Sequence, residues 1–234
     1  MIWTVRIGTL FPNLFPGPLG VSSIGKAMGK LWDLAVDDLR SFATDKHRTV
    51  DDAPMGGGGG MLIKCDIVDA WFSQEYNKNK RKIYLSPRGK LFKQSMVRDL
   101  IQQDLCILCG RFEGVDARVL EHWGPEELSL GDFVLHGGEV AAMALVEACA
   151  RGIVVKQHSY ELDSFSSGLL ECDQYTRPAA WEPLDKTVPK VYDVPEVLIS
   201  GDHEKIRRWR LANSELVTQQ RRPDLWKEYL EEKK

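Results

Sequence analysis

The sequence predicts an α/β domain built on a largely parallel sheet, followed by a smaller helical C-terminal domain. Three observations support this. Apolar, β-branched segments alternate with helix-like segments through the first half of the chain. Glycine-bearing turns close several of the apolar segments. Beyond about residue 153 the chain becomes rich in Pro, Ser and Asp, and turns helical again from Asp202. With 234 residues there is room for one large domain or two unequal ones.

The elements follow in order. "IWTVRIGTLF" (2–11) and "KIYLS" (82–86) are β-branched or aromatic runs and predict strands. "VRDLIQQD" (97–104) carries Val97, Leu100 and Ile101 at helical spacing. "LCILCG" (105–110) is a third strand ending at Gly110, and "GEVAAMALVEACARG" (138–152) is an Ala-rich helix bounded by glycines. The irregular stretch after residue 153 has Tyr175, Trp181, Tyr192 and Leu198 to bury, which predicts ordered structure. Asp202 fits an N-cap. Ile206, Trp209, Asn213 and Leu216 then form one stripe, and Pro223 marks a break before a short terminal helix.

Composition narrows the function. Hydrophobic content of 43% and charged content of 28% suit a globular protein. Apolar runs stop short of the roughly 18–20 residues a membrane helix needs. The N-terminal stretch has no basic leader or cleavage site, so a cytoplasmic protein is expected. Of the five cysteines, Cys106 and Cys109 form a CxxC. On a strand their side chains point to opposite faces and cannot share a metal, so buried reduced thiols are expected and no metal site. The net charge of −3 excludes a uniformly basic nucleic-acid binder. Local basic patches remain, in "NKNKRK" (77–82) and between His203 and Arg222. Either can grip phosphates or form a solvated face.

Three glycine-bearing turns follow apolar segments: "YLSPRG" (84–89), "CGRFEGVD" (109–116) and "SLGDFVLHGGE" (129–139). None continues as Gly-Lys-Ser/Thr, and none is a GxGxxG after the first strand. Turns of this kind at strand ends present main-chain donors and acceptors that suit an adenine edge and a ribose. A fourth feature, "DDAPMGGGGGM" (51–61), is open to readings as a linker, a phosphate cradle or a loop of close approach.

These turns, with "FATDKHRTVDD", "GGGGGM", "DSFSSGLLECDQYTRP" and "SGDHEKIRRWR", resemble the bacterial tRNA (guanine-N1)-methyltransferases of the TrmD family, from Leu10 to about Trp226. The resemblance implies a SPOUT-type parallel sheet with a deep trefoil knot over residues 1–157, a linker over 158–170 and a helical tRNA-binding domain over 171–234. It implies S-adenosyl-L-methionine as methyl donor, held by Tyr84, Leu85, Ser86, Pro87 and Gly89, by Gly110, Glu113 and Gly114, and by Ser129, Leu130, Gly131, Phe133, Val134, Leu135, Gly137 and Gly138. The reaction implied is methylation of N1 of guanosine 37 of tRNA by a homodimer whose sites draw on both subunits. It also admits Mg2+, without a dedicated site in the sequence.

Guanine N1 becomes nucleophilic only when its proton leaves, which a carboxylate can accept. Asp163 matches the family's catalytic aspartate through the following "SF…GLL", with Glu161 as a rival. Arg151 matches the arginine that stabilises negative charge growing on the neighbouring carbonyl oxygen. Without the resemblance, Asp163 reads as a helix cap and Arg151 as a complement to a helix C-terminus. On the tRNA side the resemblance implies Asp51, Gly57, Gly58 and Gly60 near the base. Lys205, Arg207, Arg208 and Arg210 would lie on the backbone, with Arg221 and Arg222 beside them. A knotted methyltransferase acting at another RNA position, or an RNA-binding module without catalysis, are the alternatives.

Overall fold

The computed structural model describes residues 2–155, 163–184 and 190–233. The chain divides into two compact units, Met1–Lys156 and Gln157–Lys234.

The first unit is organised by a five-stranded sheet. Its strands are β1 (Trp3–Thr9), β2 (Trp32–Asp38), β5 (Arg81–Leu91), β6 (Leu105–Cys109) and β7 (Glu126–Ser129). They lie in the order β2-β1-β6-β5-β7, and every neighbouring pair is parallel. A separate antiparallel pair, β3 (Asp51–Asp52) with β4 (Leu62–Ile63), brackets the glycine run.

Helices cover both faces. On one face α1 (Ser22–Ala27), α3 (Val97–Leu100) and α5 (Glu139–Val154) contribute Ile24, Leu100, Ala142 and Leu145 to a core shared with Val5, Ile7, Leu105 and Ile107. On the other, α2 (Cys65–Phe72) and α4 (Ala117–Trp123) bring Ile67, Trp71 and Leu120 against Cys106 and Leu108. β6 is buried along its whole length, as a central parallel strand must be. Its alternation sends Cys109 into the first core and Cys106 into the second, so the two thiols of the CxxC face apart.

Strands β2 and β7 were not evident in the sequence. "WDLAVDD" carries three aspartates and "EELS" two glutamates, residues that strands disfavour. Both lie at sheet edges, where one side of the strand can be polar. The helix expected over 97–104 is confined to Val97–Leu100, because the Gln-Gln-Asp that follows leads directly into β6.

β5 is longer than expected and interrupted. Leu85 and Lys90 both register against Leu128, so Ser86–Gly89 bulge out of the ladder. A Cβ on Gly89 would lie 2.5 Å from the backbone of Glu127 and Leu128, which fixes glycine where the strand rejoins its neighbour.

In the second unit, α6 (Glu196–Ile199), α7 (His203–Arg221) and α8 (Pro223–Glu232) follow a two-stranded pair, β8 (Ala180–Trp181) with β9 (Tyr192–Asp193). Asp202 caps α7, accepting from the Lys205 N–H at 3.0 Å. Tyr229 of α8 is buried and donates to Glu215 at 2.9 Å. Leu169 is buried too, and the Leu170 N–H donates to Thr218 Oγ1 at 2.9 Å, so this stretch packs within the unit. The inner stripe of α7 runs through Ile206, Trp209, Asn213 and Val217 and not the expected Leu216, which is exposed.

Burial pushes the thiols of Cys106 and Cys149 up to about 12 and that of Cys109 well above its ordinary value. Cys65 and Cys172 are only partly buried. Because the thiolate is the reactive form, alkylation of the native protein at pH 8 labels Cys65 and Cys172 and spares the other three until denaturant is added. Mass-spectrometric mapping checks this, and labelling of Cys106 at the rate of Cys65 would contradict it.

Candidate functional site

Because the strands are parallel, their carboxyl ends and the turns that follow lie on one side of the sheet. In open α/β sheets that edge is where ligands bind. A cleft in the first unit opens there, with a volume of about 550 Å3. That falls in the range of small-molecule sites.

Its wall is built from three segments. The bulge of β5 supplies Tyr84, Leu85, Ser86, Pro87 and Arg88; the turn after β6 supplies Gly110, Arg111, Phe112, Glu113 and Gly114. The loop between β7 and α5 supplies Ser129, Leu130, Gly131, Phe133, Val134, Leu135, His136, Gly137 and Gly138. The expected donor-binding residues therefore share one cleft, except Gly89, which lies off the lining at the strand junction described above. Leu62, Val115, Ala117, Leu120, Leu128 and Ala141 complete the wall.

The glycines bring these segments together. Tyr84 is buried, and burial is the main reason its phenol lies above the ordinary value, with Glu127 adding to it. A Cβ on Gly110 or Gly114 would come within 3.0 or 3.2 Å of its Oη. A Cβ on Gly138 would lie 2.9 Å from the Cys109 Cα, which leaves room only for main chain where the Gly138 N–H donates to Gly110 O at 2.9 Å.

A buried ion pair ties two of the walls together. Glu139, the first residue of α5, is 1% exposed, and the Nε of Arg111 lies 2.9 Å from its Oε2 and 3.1 Å from Oε1. Thr9 at the end of β1 donates to Oε1 at 2.7 Å. The Arg111 guanidinium also lies 4.3 Å from the Phe11 ring centroid. A Cβ on Gly137 would stand 2.3 Å from Arg111 Nε, so glycine there makes room for the pair. Neither Arg111 nor Glu139 was singled out from the sequence. The signal was a charged residue directly after a turn glycine, Arg111 after Gly110 and Glu139 after Gly138.

The glycine run adjoins this cleft. The Glu113 N–H donates to Met61 O at 2.9 Å, and the Ile63 N–H to Gly114 O at 2.9 Å. A Cβ on Gly60 would meet the Glu113 side chain at 2.4 Å, whereas added Cβ atoms at Gly57 and Gly59 would have no neighbour within 4 Å. Gly56, Gly57, Gly58 and Gly60 have positive φ, the conformation that favours glycine. The run is thus anchored at Gly60 and open at its middle, with Asp51 in the strand that leads into it.

The other expected residues lie elsewhere. Arg151 is half-buried in the last turn of α5, in the first unit, and Asp163 belongs to the second. Neither lines the cleft. Glu161 falls outside the described residues. On α7, Lys205 pairs with Asp202 at 3.1 Å, and Arg207 and Arg208 both pair with Glu204, at 2.7 and 3.0 Å. These are exposed pairs, which exchange partners at little cost. Arg210 lines a second cleft, within the second unit. Among the described residues no group of three or more His, Cys, Asp or Glu could hold a metal ion, so the Mg2+ admitted by the resemblance gains no support. No helix among them is long and apolar enough to cross a membrane.

The chain matches the family model described as tRNA (Guanine-1)-methyltransferase TrmD over residues 3–228. It is 50% identical to a protein of Ruegeria pomeroyi named tRNA (guanine-N(1)-)-methyltransferase, over 97% of this chain and 94% of that protein. Proteins of the same name from Rhodospirillum rubrum and Pelagibacter ubique are 50% and 46% identical, over 95% and 97% of this chain and 92% and 99% of theirs.

Replacing one partner of a buried pair strands the other's charge. Arg111→Met is therefore expected to cost about 3–5 kcal/mol of stability. Glu139→Gln, which keeps an acceptor for Thr9, costs less. Urea denaturation of the two variants measures the difference, and equal losses would contradict the pairing.

Proposed function

The chain belongs to the tRNA (guanine-1)-methyltransferase family, and we propose on that premise that it methylates N1 of a guanosine in tRNA, at position 37 beside the anticodon. The observation that carries this reading is the family match over residues 3–228, joined to a glycine-built cleft at the carboxyl ends of parallel strands.

The methyl donor of the proposal is S-adenosyl-L-methionine, and the cleft fits it. Leu85, Leu130, Val134, Leu135 and Ala141 offer an apolar wall for a nucleoside, and glycine turns let main chain come close. The carboxylate of Glu113 complements a cation. When bound, the donor supplies a methyl group activated on a sulfonium. The chain's own part is then positioning and proton handling. Asp163 accepts the N1 proton as general base. Arg151 stabilises the negative charge that develops on the guanine carbonyl oxygen.

The target base approaches over the open middle of the glycine run, at Gly57 and Gly58, beside Asp51 and with Gly60 anchored to the cleft rim. Lys205, Arg207, Arg208 and Arg210 take phosphates of the tRNA backbone, the first three displacing the weak pairs they now make. The deep trefoil knot and the homodimer with composite sites belong to the same proposal and rest on the family resemblance; a cytoplasmic location belongs to it as the setting of a tRNA-modifying reaction.

Incubation with methyl-labelled S-adenosyl-L-methionine and a tRNA transcript carrying guanosine at position 37 tests the reading. Label should enter that transcript and not its adenosine-37 counterpart; incorporation into both, or neither, would contradict it. Asp163→Asn should keep donor binding and lose about 10²-fold or more in turnover, and near-native turnover would remove Asp163 as the base.

A further inference from the structure

The second unit shows aromatic rings to solvent that its composition suggested would be buried. Tyr175, Trp181 and Tyr192 are 47%, 55% and 46% exposed. The Trp181 and Tyr192 rings neighbour each other across the β8–β9 pair, with centroids 5.6 Å apart and planes tilted by 39°. The Lys190 Nζ lies 4.6 Å from the Tyr192 centroid.

The strand pair opens onto a second cleft. The Val194 N–H donates to Ala179 O at 2.8 Å, and both residues line a cavity of about 430 Å3 in the same unit. In it Tyr175 and Trp209 meet with centroids 6.1 Å apart and planes at 63°. Arg210, in the turn of α7 beside Trp209, lines the same cleft, as do Arg177 and one acid, Asp173. One aromatic pair thus stands at the strand pair with Lys190 beside it, and the other in the adjoining cleft that Arg210 also lines.

Partly exposed aromatic rings next to positive charge match the chemistry of an unpaired nucleotide. The base stacks on the ring, and its phosphate meets the cation. A purely apolar partner would gain nothing from the Lys190 and Arg210 charges. We propose that Trp181, Tyr192, Tyr175 and Trp209, with Lys190 and Arg210, form a stacking surface for unpaired nucleotides of the tRNA other than the reacting guanosine. This deepens the RNA-directed function proposed above and rests on it.

The test is tRNA binding by the full chain, followed by fluorescence anisotropy of a labelled transcript at several salt concentrations. The Trp181→Ala/Tyr192→Ala variant should bind about tenfold more weakly, since stacking is lost. The slope of log affinity against log salt should stay the same, because the variant removes no phosphate contact. Affinity for S-adenosyl-L-methionine, measured by calorimetry, should be unchanged. Trp181→Phe/Tyr192→Phe, which keeps two flat faces, should retain most of the tRNA affinity.

Unchanged tRNA affinity in the alanine variant would overturn the proposal. If light scattering then showed a changed oligomeric state, the rings would be assigned to a protein contact. An equal loss in the phenylalanine variant would also overturn it, since stacking faces would not be what matters. Failure of the wild type to methylate tRNA would strike the proposed reaction and leave this binding measurement standing.

Discussion

The contact between Arg111 and the buried carboxylate of Glu139 is the constraint around which the first unit's cleft is arranged. It joins the turn after β6 to the start of α5, and Thr9 extends it to the end of β1. A carboxylate this deeply buried is tolerated only with a cation and a hydrogen-bond donor close by. Here both come from strand ends on the same edge of the sheet. The pair therefore sets how closely the turn after β6 and the loop before α5 approach. Gly137 and Gly138 follow from that spacing, since a side chain at either position would occupy the pair or the neighbouring backbone.

The cleft's character is a consequence. The glycines in its walls present fixed amides and carbonyls beside apolar surface, and those main-chain groups have no side-chain entropy to lose on binding. The neighbouring glycine run has the opposite character. Only its last glycine is crowded, against Glu113; a Cβ at Gly56, Gly57 or Gly59 would meet nothing within 4 Å, and one at Gly58 only Pro54 at 3.8 Å. That contrast separates a shaped pocket from an open surface within the same unit, which the proposed reading assigns to a small donor and a large substrate respectively.

The sequence made part of this legible. "LCILCG" announced a central strand because every residue is apolar, and "GEVAAMALVEACARG" a helix because of its alanines and flanking glycines. β2 and β7 escaped notice because edge strands tolerate the acids that sequence reading counts against a strand. The three glycine turns marked the cleft, yet the Arg111–Glu139 contact spans 28 residues and depends on which strands are neighbours, which local pattern does not encode. In the second unit the aromatics were misjudged. Leu169 and Tyr229 supply buried contacts there, and Tyr175, Trp181 and Tyr192 stay largely outside. The roles given to Asp163 and Arg151 came from family resemblance, since each residue alone also suits a cap or a helix end.

Hydrogen exchange with and without S-adenosyl-L-methionine measures whether the three turns form one donor cleft held by a single buried pair. If they do, amides of segments 85–90, 110–114 and 129–138 gain protection together on adding the donor, while Gly57 and Gly58 do not. Protection confined to one of the three segments, or centred on the glycine run, would contradict that arrangement.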